Sequence, residues 1–347
     1  MLSEALLEQA RQIHATYPVI DTHSDIPSDV HTKRARGETE VFARRHVPAL
    51  RQGGVSAIAA TCGGDFSISD DADLMRHTFE TLEMLHREAE ESPEQIRVVS
   101  SSAELERARA DGVIGLLPSL EGAGALRGSV DVLRALYRLG LRALGLTWNF
   151  RNELADGAAE QRSGGGLTRA GVKVVQELNR LGMLVDVSHL SDAGVRQVLE
   201  LSEAPVIASH SNARAVCEHP RNLPDWAIEG IARSGGVIGV AVYGDFVDPE
   251  APTLDRLVDH VDHLRRLVGI DHIALGPDFT DYIEGGVSAA TLAAGIYSHP
   301  GRYVDGLETI SKLPAFTAAL LARGYREPEI AQILGGNYLR VCRTVLG

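Results

Sequence analysis

Short apolar runs alternate with longer amphipathic segments along this chain. Eight runs rich in Val, Ile, Leu and Ala are typical of buried parallel strands and lie at residues 18–23, 55–62, 113–120, 141–147, 183–189, 205–210, 236–242 and 272–277. The segments between them predict helices, several beginning at a Ser, Asp or Thr that can cap a helix, at 70–91, 129–139, 168–180, 191–202, 223–233 and 253–268. The order is a strand followed by a helix, repeated along the chain.

This alternation predicts an α/β protein with a (β/α)8 TIM barrel as one domain over residues 1–347. A doubly wound sheet gives a similar string, but its site would gather at one switch point. Here polar residues follow several different strands, which favours the barrel. Two further helical patterns at 306–322 and 327–345 predict a C-terminal helical extension, residues 304–347.

Composition narrows the classes of partner and compartment. The net charge of -13 argues against binding nucleic acid or an anionic membrane surface. The three cysteines are odd in number and widely spaced, so they indicate no disulfide framework. The first residues carry acids rather than a basic leader, and no apolar stretch reaches membrane-spanning length. We therefore expect a cytoplasmic protein with no membrane partner.

Candidate chemistry lies where the predicted strands end. Three imidazoles and three carboxylates follow strands 1, 3, 5, 6 and 8, and these residues are His23, Asp25, Glu121, His189, His210 and Asp278. Because the carboxyl ends of barrel strands meet at one mouth, the six side chains are expected to converge. Imidazoles and carboxylates together are ligands for zinc or a similar divalent ion.

The same set suits a site for two ions. Such a site needs an anionic ligand that bridges the metals, with terminal ligands on each side. A carboxylated lysine is one known bridge, but the only lysines are Lys33, Lys173 and Lys312, and none of them ends a strand. Glu121 is therefore the predicted bridge.

Each residue also has a structural interpretation. A single histidine at a strand end is more often hydrogen-bonded than metal-bound, and Asp25 or Asp278 could cap a following helix. His260 and His263 have a spacing that suits one helix face, and we interpret them as solvated positions. Six candidates at equivalent strand ends favour a site over these alternatives.

The segments around these residues resemble the renal or membrane dipeptidase family, zinc dipeptidases of the amidohydrolase superfamily. The resemblance runs almost from end to end and is carried by Asp21-Thr-His23-Ser-Asp25, Leu120-Glu121-Gly122, Asp186-Val-Ser-His189, Ala208-Ser-His210-Ser211, His219-Pro-Arg221-Asn222-Leu-Pro224-Asp225, Gly276-Pro-Asp278-Phe and Gly336-Asn337-Tyr-Leu-Arg340-Val. It implies a metallo-dipeptidase on a (β/α)8 barrel, and a homodimer.

The resemblance also implies roles for the site residues. One Zn²⁺ would be held by His23, Asp25 and Glu121, and the other by Glu121, His189 and His210, while Asp278 would be catalytic. Arg221 matches the arginine that binds the substrate carboxylate, because a guanidinium is a planar, bidentate partner for that group. Tyr243 matches a position near the substrate. The same ligands would also accept Co²⁺ or Mn²⁺.

One position departs from the better-known members. Trp148 stands where the renal enzyme has a histidine thought to contact the substrate carbonyl, and an indole donates a hydrogen bond but takes no proton. Asn149 or the metal alone would then supply oxyanion stabilisation. The alternatives to hydrolysis of small dipeptides are another amidohydrolase activity on the same metals (N-acyl amino acid amidase, lactonase or β-lactam hydrolysis) and a metal-stabilised binding protein.

Overall fold

The computed structural model describes residues 2–65, 71–283 and 289–347. Its strands are β1 Ile20–Ser24, β2 Ala57–Gly64, β3 Ile96–Val98, β4 Ile114–Glu121, β5 Ala143–Gly145, β6 Leu184–Asp186, β7 Val206–Ala208, β8 Val237–Val240 and β9 Ile273–Leu275. Its α-helices are α1 Glu4–Thr16, α2 Ile26–Ala35, α3 Val47–Gln52, α4 Asp71–Glu91, α5 Ser102–Ala110, α6 Val130–Arg138, α7 Arg169–Leu181, α8 Asp192–Leu201, α9 Asp225–Arg233, α10 Gly244–Val247, α11 Leu254–Val268, α12 Ala289–Ala294, α13 Pro314–Arg323, α14 Glu327–Ala331 and α15 Asn337–Val345.

The strands form a parallel (β/α)8 barrel in the order β1-β2-β4-β5-β6-β7-β8-β9. All eight strands expected from the sequence are present. The short β3 is additional and pairs with β4 on the outside of the barrel path. The Thr22 hydroxyl of β1 lies 3.0 Å from the Leu275 carbonyl of β9, so the first and last strands are in contact. The fold prediction is confirmed.

Side chains fill the barrel in layers. Near the amino ends of the strands the inward-facing residues are apolar, including Ile20, Leu117, Leu184 and Ile207, and helix α15 packs against them with Tyr338 and Cys342. Above them comes a layer of small and polar residues, and the predicted site residues lie at the carboxyl ends. The opposite faces of the strands pack against the surrounding helices in the larger apolar core.

Two glycines leave room for the polar layer. A Cβ atom built on Gly239 or Gly276 would lie 1.9 or 1.8 Å from the Ser209 carbonyl oxygen, and within 2.7 Å of the Thr22 hydroxyl. Any larger residue at Gly239 on β8, or at Gly276 just after β9, would therefore displace the backbone of the segment that carries His210. Close packing of the strands therefore requires glycine at both positions.

The helices begin as expected from their capping residues. The hydroxyls of Thr168, Ser191 and Thr253 accept hydrogen bonds from the first turns of α7, α8 and α11. The predicted helix at 70–91 begins at residue 71 in the described part of the chain, because residue 70 lies outside it.

The C-terminal extension is helical, as predicted. Helices α13, α14 and α15 follow the barrel, and a π-helical turn at Gln332–Gly336 separates the last two. Helix α13 packs against α1. Between them, the ring nitrogens of buried His14 lie 2.7 Å from both the Gly53 carbonyl and the Thr317 hydroxyl. Of the helices described, none has the length and apolarity needed to cross a bilayer.

Candidate metal centre and active site

The barrel brings all six predicted strand-end residues to its carboxyl mouth. His23 lies within β1, Asp25 follows it, and Glu121 is the last residue of β4. The other three stand in the loops that follow β6, β7 and β9: His189, His210 and Asp278. The predicted convergence is observed.

Glu121 is at the centre of this cluster. Its Oε1 atom lies 2.8 Å from His189 Nε2, 3.2 Å from His210 Nε2 and 3.4 Å from His23 Nε2. His23 Nε2 in turn lies 3.7 Å from Asp25 Oδ1. Two groups of candidate ligands, each with its atoms within 4.8 Å of one another, therefore share Glu121: one with His23 and Asp25, the other with His189 and His210.

Asp278 lies on the same cluster. Its Oδ1 atom is 3.8 Å from His23 Nε2, and with His23 and His210 it forms a third group of potential ligands. No helix begins at Asp278, so the helix-cap alternative is wrong for this residue. Asp25 does occupy the N-cap position of α2, but its carboxylate makes no capping hydrogen bond.

Several buried polar atoms of the cluster have no protein partner suited to them. Among the described residues, His23 Nε2 and Asp25 Oδ1 make no hydrogen bond. His189 Nε2 and His210 Nε2 face each other at 2.8 Å. A buried polar atom without a partner costs about 1–3 kcal/mol, so a cluster of them requires a compensating ligand. Imidazole and carboxylate donors around common points fit divalent metal ions.

Groups behind the histidines set which ring nitrogen faces the cluster. His189 Nδ1 lies 2.8 Å from Asn149 Oδ1. His210 Nδ1 lies 2.7 Å from the Ser209 hydroxyl, which donates to Asp186 Oδ2 at 2.5 Å. These acceptors keep the hydrogen on Nδ1 and leave the lone pair of Nε2 directed at the cluster, the arrangement usual for metal-ligating histidines. Asn149, predicted to bind substrate, thus lies behind the candidate ligand His189.

The backbone at two of these residues is unusual. His189 and Asp278 have φ angles of 68° and 64°, in the left-handed region that residues other than glycine rarely adopt. Two of the four such residues in the described part of the chain therefore belong to the site. This conformation costs about 1–3 kcal/mol, and the packed barrel holds it because it turns the side chains inward.

Burial and mutual charge shift the pKa values of the cluster. Burial raises the pKa of Glu121 well above its ordinary value and, together with the negative charge of Asp25, raises that of Asp278 to about 7. Burial lowers the pKa values of His189 and His210 well below normal. Burial also opposes the charged form of His23, but the nearby carboxylates, Glu121 foremost, raise its pKa well above normal. Burial and mutual repulsion thus disfavour the charged forms of these carboxyl groups, and cations bound among them would stabilise the charged forms.

Arg221 is a buried cation without an anion beside it. Arg221 is only 2% exposed, and its Nη2 atom donates a hydrogen bond to the His210 carbonyl at 3.2 Å. Its Nε has no acceptor, and none of the described residues forms an ion pair with it. The guanidinium lies 5.3 Å from the centre of the Phe246 ring. A charge buried in this way is costly, so the position suits binding of an anionic group of a ligand.

Aromatic residues form one wall beside the cluster. The Trp148 ring lies 5.8 Å from that of His189, and the residue is 5% exposed. The Tyr243 ring lies 5.0 Å from that of Phe246, and its hydroxyl accepts a hydrogen bond from the Gly301 amide. Both predicted substrate-binding positions therefore border the site.

Sequence reasoning missed two site residues. The Asp65 carboxylate follows β2 and accepts 2.8 Å hydrogen bonds from the Gly124 amide and the Asn152 side chain, which ties together the loops after β4 and β5. Burial raises its pKa to about 6. Its strand-end position was a usable signal. Tyr297 gave no such signal, because it comes from a loop far along the chain and reaches the site only in the folded structure.

His260 corrects another interpretation. His260 is fully buried rather than solvated. Nδ1 accepts from the Ala213 amide and Nε2 lies 3.2 Å from the Val247 carbonyl, so it joins the loop after β7 to α10. His263 is partly buried and lies 2.8 Å from the Asp225 carboxylate.

Known proteins share this fold and sequence over almost the whole chain. Residues 7–346 match the model of the membrane dipeptidase family, peptidase family M19. Dipeptidase verJ of Clonostachys rogersoniana is 32% identical over 359 residues, which cover 98% of this chain and 87% of that protein. Dipeptidase 3 of Mus musculus is 33% identical over 358 residues, with coverage of 98% and 67%.

A solved structure agrees with these relatives. Dipeptidase AC, a metallopeptidase of family M19, superposes with a TM-score of 0.83 at 25% identity, covering 96% of this chain and 99% of that one. Sequence and structure therefore lead to the same assignment: the chain belongs to the membrane dipeptidase family, peptidase family M19.

Proposed function

We propose that this protein is a binuclear zinc dipeptidase that hydrolyses the peptide bond of dipeptides with a free C-terminal carboxylate. Membership in family M19 makes the chain a dipeptidase. The observation that supports the finer proposal is the position of Glu121 between two pairs of candidate ligands, His23 with Asp25 and His189 with His210. One carboxylate shared by two ligand groups is the arrangement a two-metal site requires.

The donor set supports zinc, with Co²⁺ or Mn²⁺ as substitutes, because imidazole nitrogens and carboxylate oxygens suit all three ions. Two such ions, held by His23, Asp25, Glu121, His189 and His210, would lower the pKa of a water molecule towards neutrality and would polarise the scissile carbonyl. The protein's own contribution is to hold the ligands in place, through Asn149 behind His189 and Ser209 behind His210.

Asp278 is the proposed proton carrier. It lies at the rim of the cluster, with Oδ1 3.8 Å from His23 Nε2, and is more exposed to solvent than the predicted ligands. The left-handed backbone turns its carboxylate towards the cluster. A carboxylate in that position takes a proton from the attacking water and returns it to the amine that leaves.

Arg221 is the proposed recognition element for the C-terminal carboxylate. The guanidinium is buried, lacks an anionic partner among the described side chains and is anchored to the carbonyl of His210, a candidate metal ligand. A bound dipeptide would place its carboxylate there, which fixes the scissile bond relative to the cluster. Recognition of this group selects the C-terminal peptide bond of the substrate.

Metal analysis and kinetics test this proposal together. The protein loaded with zinc is expected to hold two ions per chain and to cleave dipeptides, whereas His189→Ala should lose metal and activity. Arg221→Ala should lower kcat/KM for a dipeptide by at least about 100-fold, because a buried charge pair is lost, and should affect the dipeptide amide much less. One ion per chain in the active protein would contradict the binuclear site. Unchanged KM and rate in Arg221→Ala would contradict its role.

A further inference from the structure

Tyr297 is held over the active site by a fixed loop. The ring of His219 lies 2.8 Å from the Ile296 carbonyl on one side of it. On the other side, the buried Asp245 carboxylate accepts a 2.8 Å hydrogen bond from the Ser298 amide. The Tyr297 ring also packs within 5.6 Å of the Tyr243 ring. The phenol therefore has a defined position beside the cluster.

Metal ligation by His189 fixes the direction of each hydrogen bond leading to this phenol. For Nε2 of His189 to bind a metal, the ring hydrogen must be on Nδ1, which then donates to Asn149 Oδ1 at 2.8 Å. The amide nitrogen of Asn149 must consequently face the Tyr297 hydroxyl, 2.9 Å away, and donate to it. The Tyr297 oxygen is therefore an acceptor in this contact, and its own hydrogen remains available.

That hydrogen has no acceptor among the residues that the structure describes. Burial raises the pKa of Tyr297 to about 12, so the phenol is protonated at neutral pH. The Phe246 ring lies 6.0 Å from the Tyr297 ring and 5.3 Å from the Arg221 guanidinium. Both groups therefore line the same part of the site, and Asn149 connects the phenol oxygen to His189.

We propose that Tyr297 is a substrate-binding residue that donates its hydroxyl hydrogen to the C-terminal carboxylate of the dipeptide, alongside Arg221. This inference rests on the proposed function. A carboxylate has lone pairs for both donors, and a neutral phenol adds selectivity without adding charge. A C-terminal amide offers only one oxygen and presents its own hydrogens to the same donors, so the pair distinguishes dipeptides from their amides.

Binding of a non-hydrolysable probe tests the proposal without turnover. The probe is a phosphinate analogue of a dipeptide, prepared as the free acid and as the C-terminal amide, and its Kd is measured by calorimetry on zinc-loaded protein. Tyr297→Phe is expected to raise the Kd of the acid by about 10- to 100-fold, the effect of losing one hydrogen bond to a charged group. The Kd of the amide should change by less than about threefold, and the metal content should not change.

Tyr303→Phe is the matched control. Its hydroxyl lies 2.7 Å from the Thr280 amide, so it removes a phenol that packs against the same aromatic wall but has its partner elsewhere. This variant should keep the acid-to-amide ratio of the wild type. If Tyr297→Phe also keeps the wild-type acid-to-amide ratio of Kd values, whether or not both probes bind more weakly, or if it loses metal, then the role of Tyr297 alone is overturned. A wild-type protein that binds both probes equally would overturn carboxylate recognition itself, and Tyr297 with it.

Discussion

Replacing Asp186 by asparagine is predicted to weaken metal binding without touching a ligand. In the wild type, Asp186 Oδ1 accepts from the amides of Ser188 and Ser209 at 3.0 and 2.9 Å, and Oδ2 accepts from the Ser209 hydroxyl. That hydroxyl is then an acceptor for His210 Nδ1, 2.7 Å away. Two hydrogen bonds through the Ser209 hydroxyl thus connect the buried Asp186 carboxylate to His210, a candidate metal ligand.

The substitution Asp186→Asn reverses this connection. The two backbone amides will keep the asparagine oxygen, so its NH2 group must face the Ser209 hydroxyl and donate to it. The hydroxyl hydrogen then points at His210 Nδ1, and the ring hydrogen moves to Nε2, the atom that faces the cluster. A ring nitrogen that carries a hydrogen does not bind metal.

We expect the affinity for one of the two proposed zinc ions to fall by about 10- to 100-fold, the usual effect of changing a group that hydrogen-bonds to a metal-binding histidine. This corresponds to about 1.4–2.7 kcal/mol. Ser209→Ala should cause a smaller loss, because it removes the acceptor without forcing the other tautomer. Ser188→Ala is the control, since the Ser188 hydroxyl accepts from the His210 backbone amide and not from the ring.

Competition with a calibrated chelator measures the two affinities, and nitrogen NMR of the histidine rings reports the tautomer. If Asp186→Asn binds both ions as tightly as the wild type and His210 keeps its hydrogen on Nδ1, the assigned direction of the Asp186–Ser209–His210 chain is wrong. Weaker binding of one ion while the His210 hydrogen stays on Nδ1 would also contradict the assigned direction.

Three further predictions concern stability. Burial lowers the pKa of His260 to about 4. Because this histidine binds a proton near pH 6.5 in the unfolded chain, acidification from pH 6.5 to 4 should lower the free energy of unfolding by up to about 3 kcal/mol. Urea unfolding of His260→Gln should therefore show a flatter pH dependence than that of the wild type. Gly239→Ala should lose at least about 3 kcal/mol by the same assay, whereas Gly145→Ala, whose Cβ would meet nothing within 3.4 Å, should lose far less. Chelation should lower the melting temperature, since free zinc at 1,000 times its Kd contributes about 4 kcal/mol; equal melting curves with and without metal would exclude ligation in the folded state.

Local pattern predicted the barrel well because most of its eight strands lie in short apolar runs, and every residue of the eight is buried. The extra strand β3 was missed because Arg97 interrupts its apolar run and only Ile96 of its three residues is buried. Helix α5 was missed for a different reason: its sequence is dominated by charged residues, and only Ser102, Leu105 and Ala108 are buried. The π-helical turn before α15 was invisible, since it depends on packing against the first strand.

By itself, the sequence determined which residues stand at the strand ends. Because the carboxyl ends of parallel barrel strands meet at one mouth, the sequence alone predicts that His23, Glu121 and His210 lie close together. The tertiary structure alone decided which side chains stand behind them. Asn149 and Tyr297 are 148 residues apart, yet they share a hydrogen bond. Periodicity describes how one element is buried, whereas the direction of a hydrogen bond depends on atoms from several elements at once. The candidate ligands could therefore be predicted from the chain, and the groups hydrogen-bonded behind them could not.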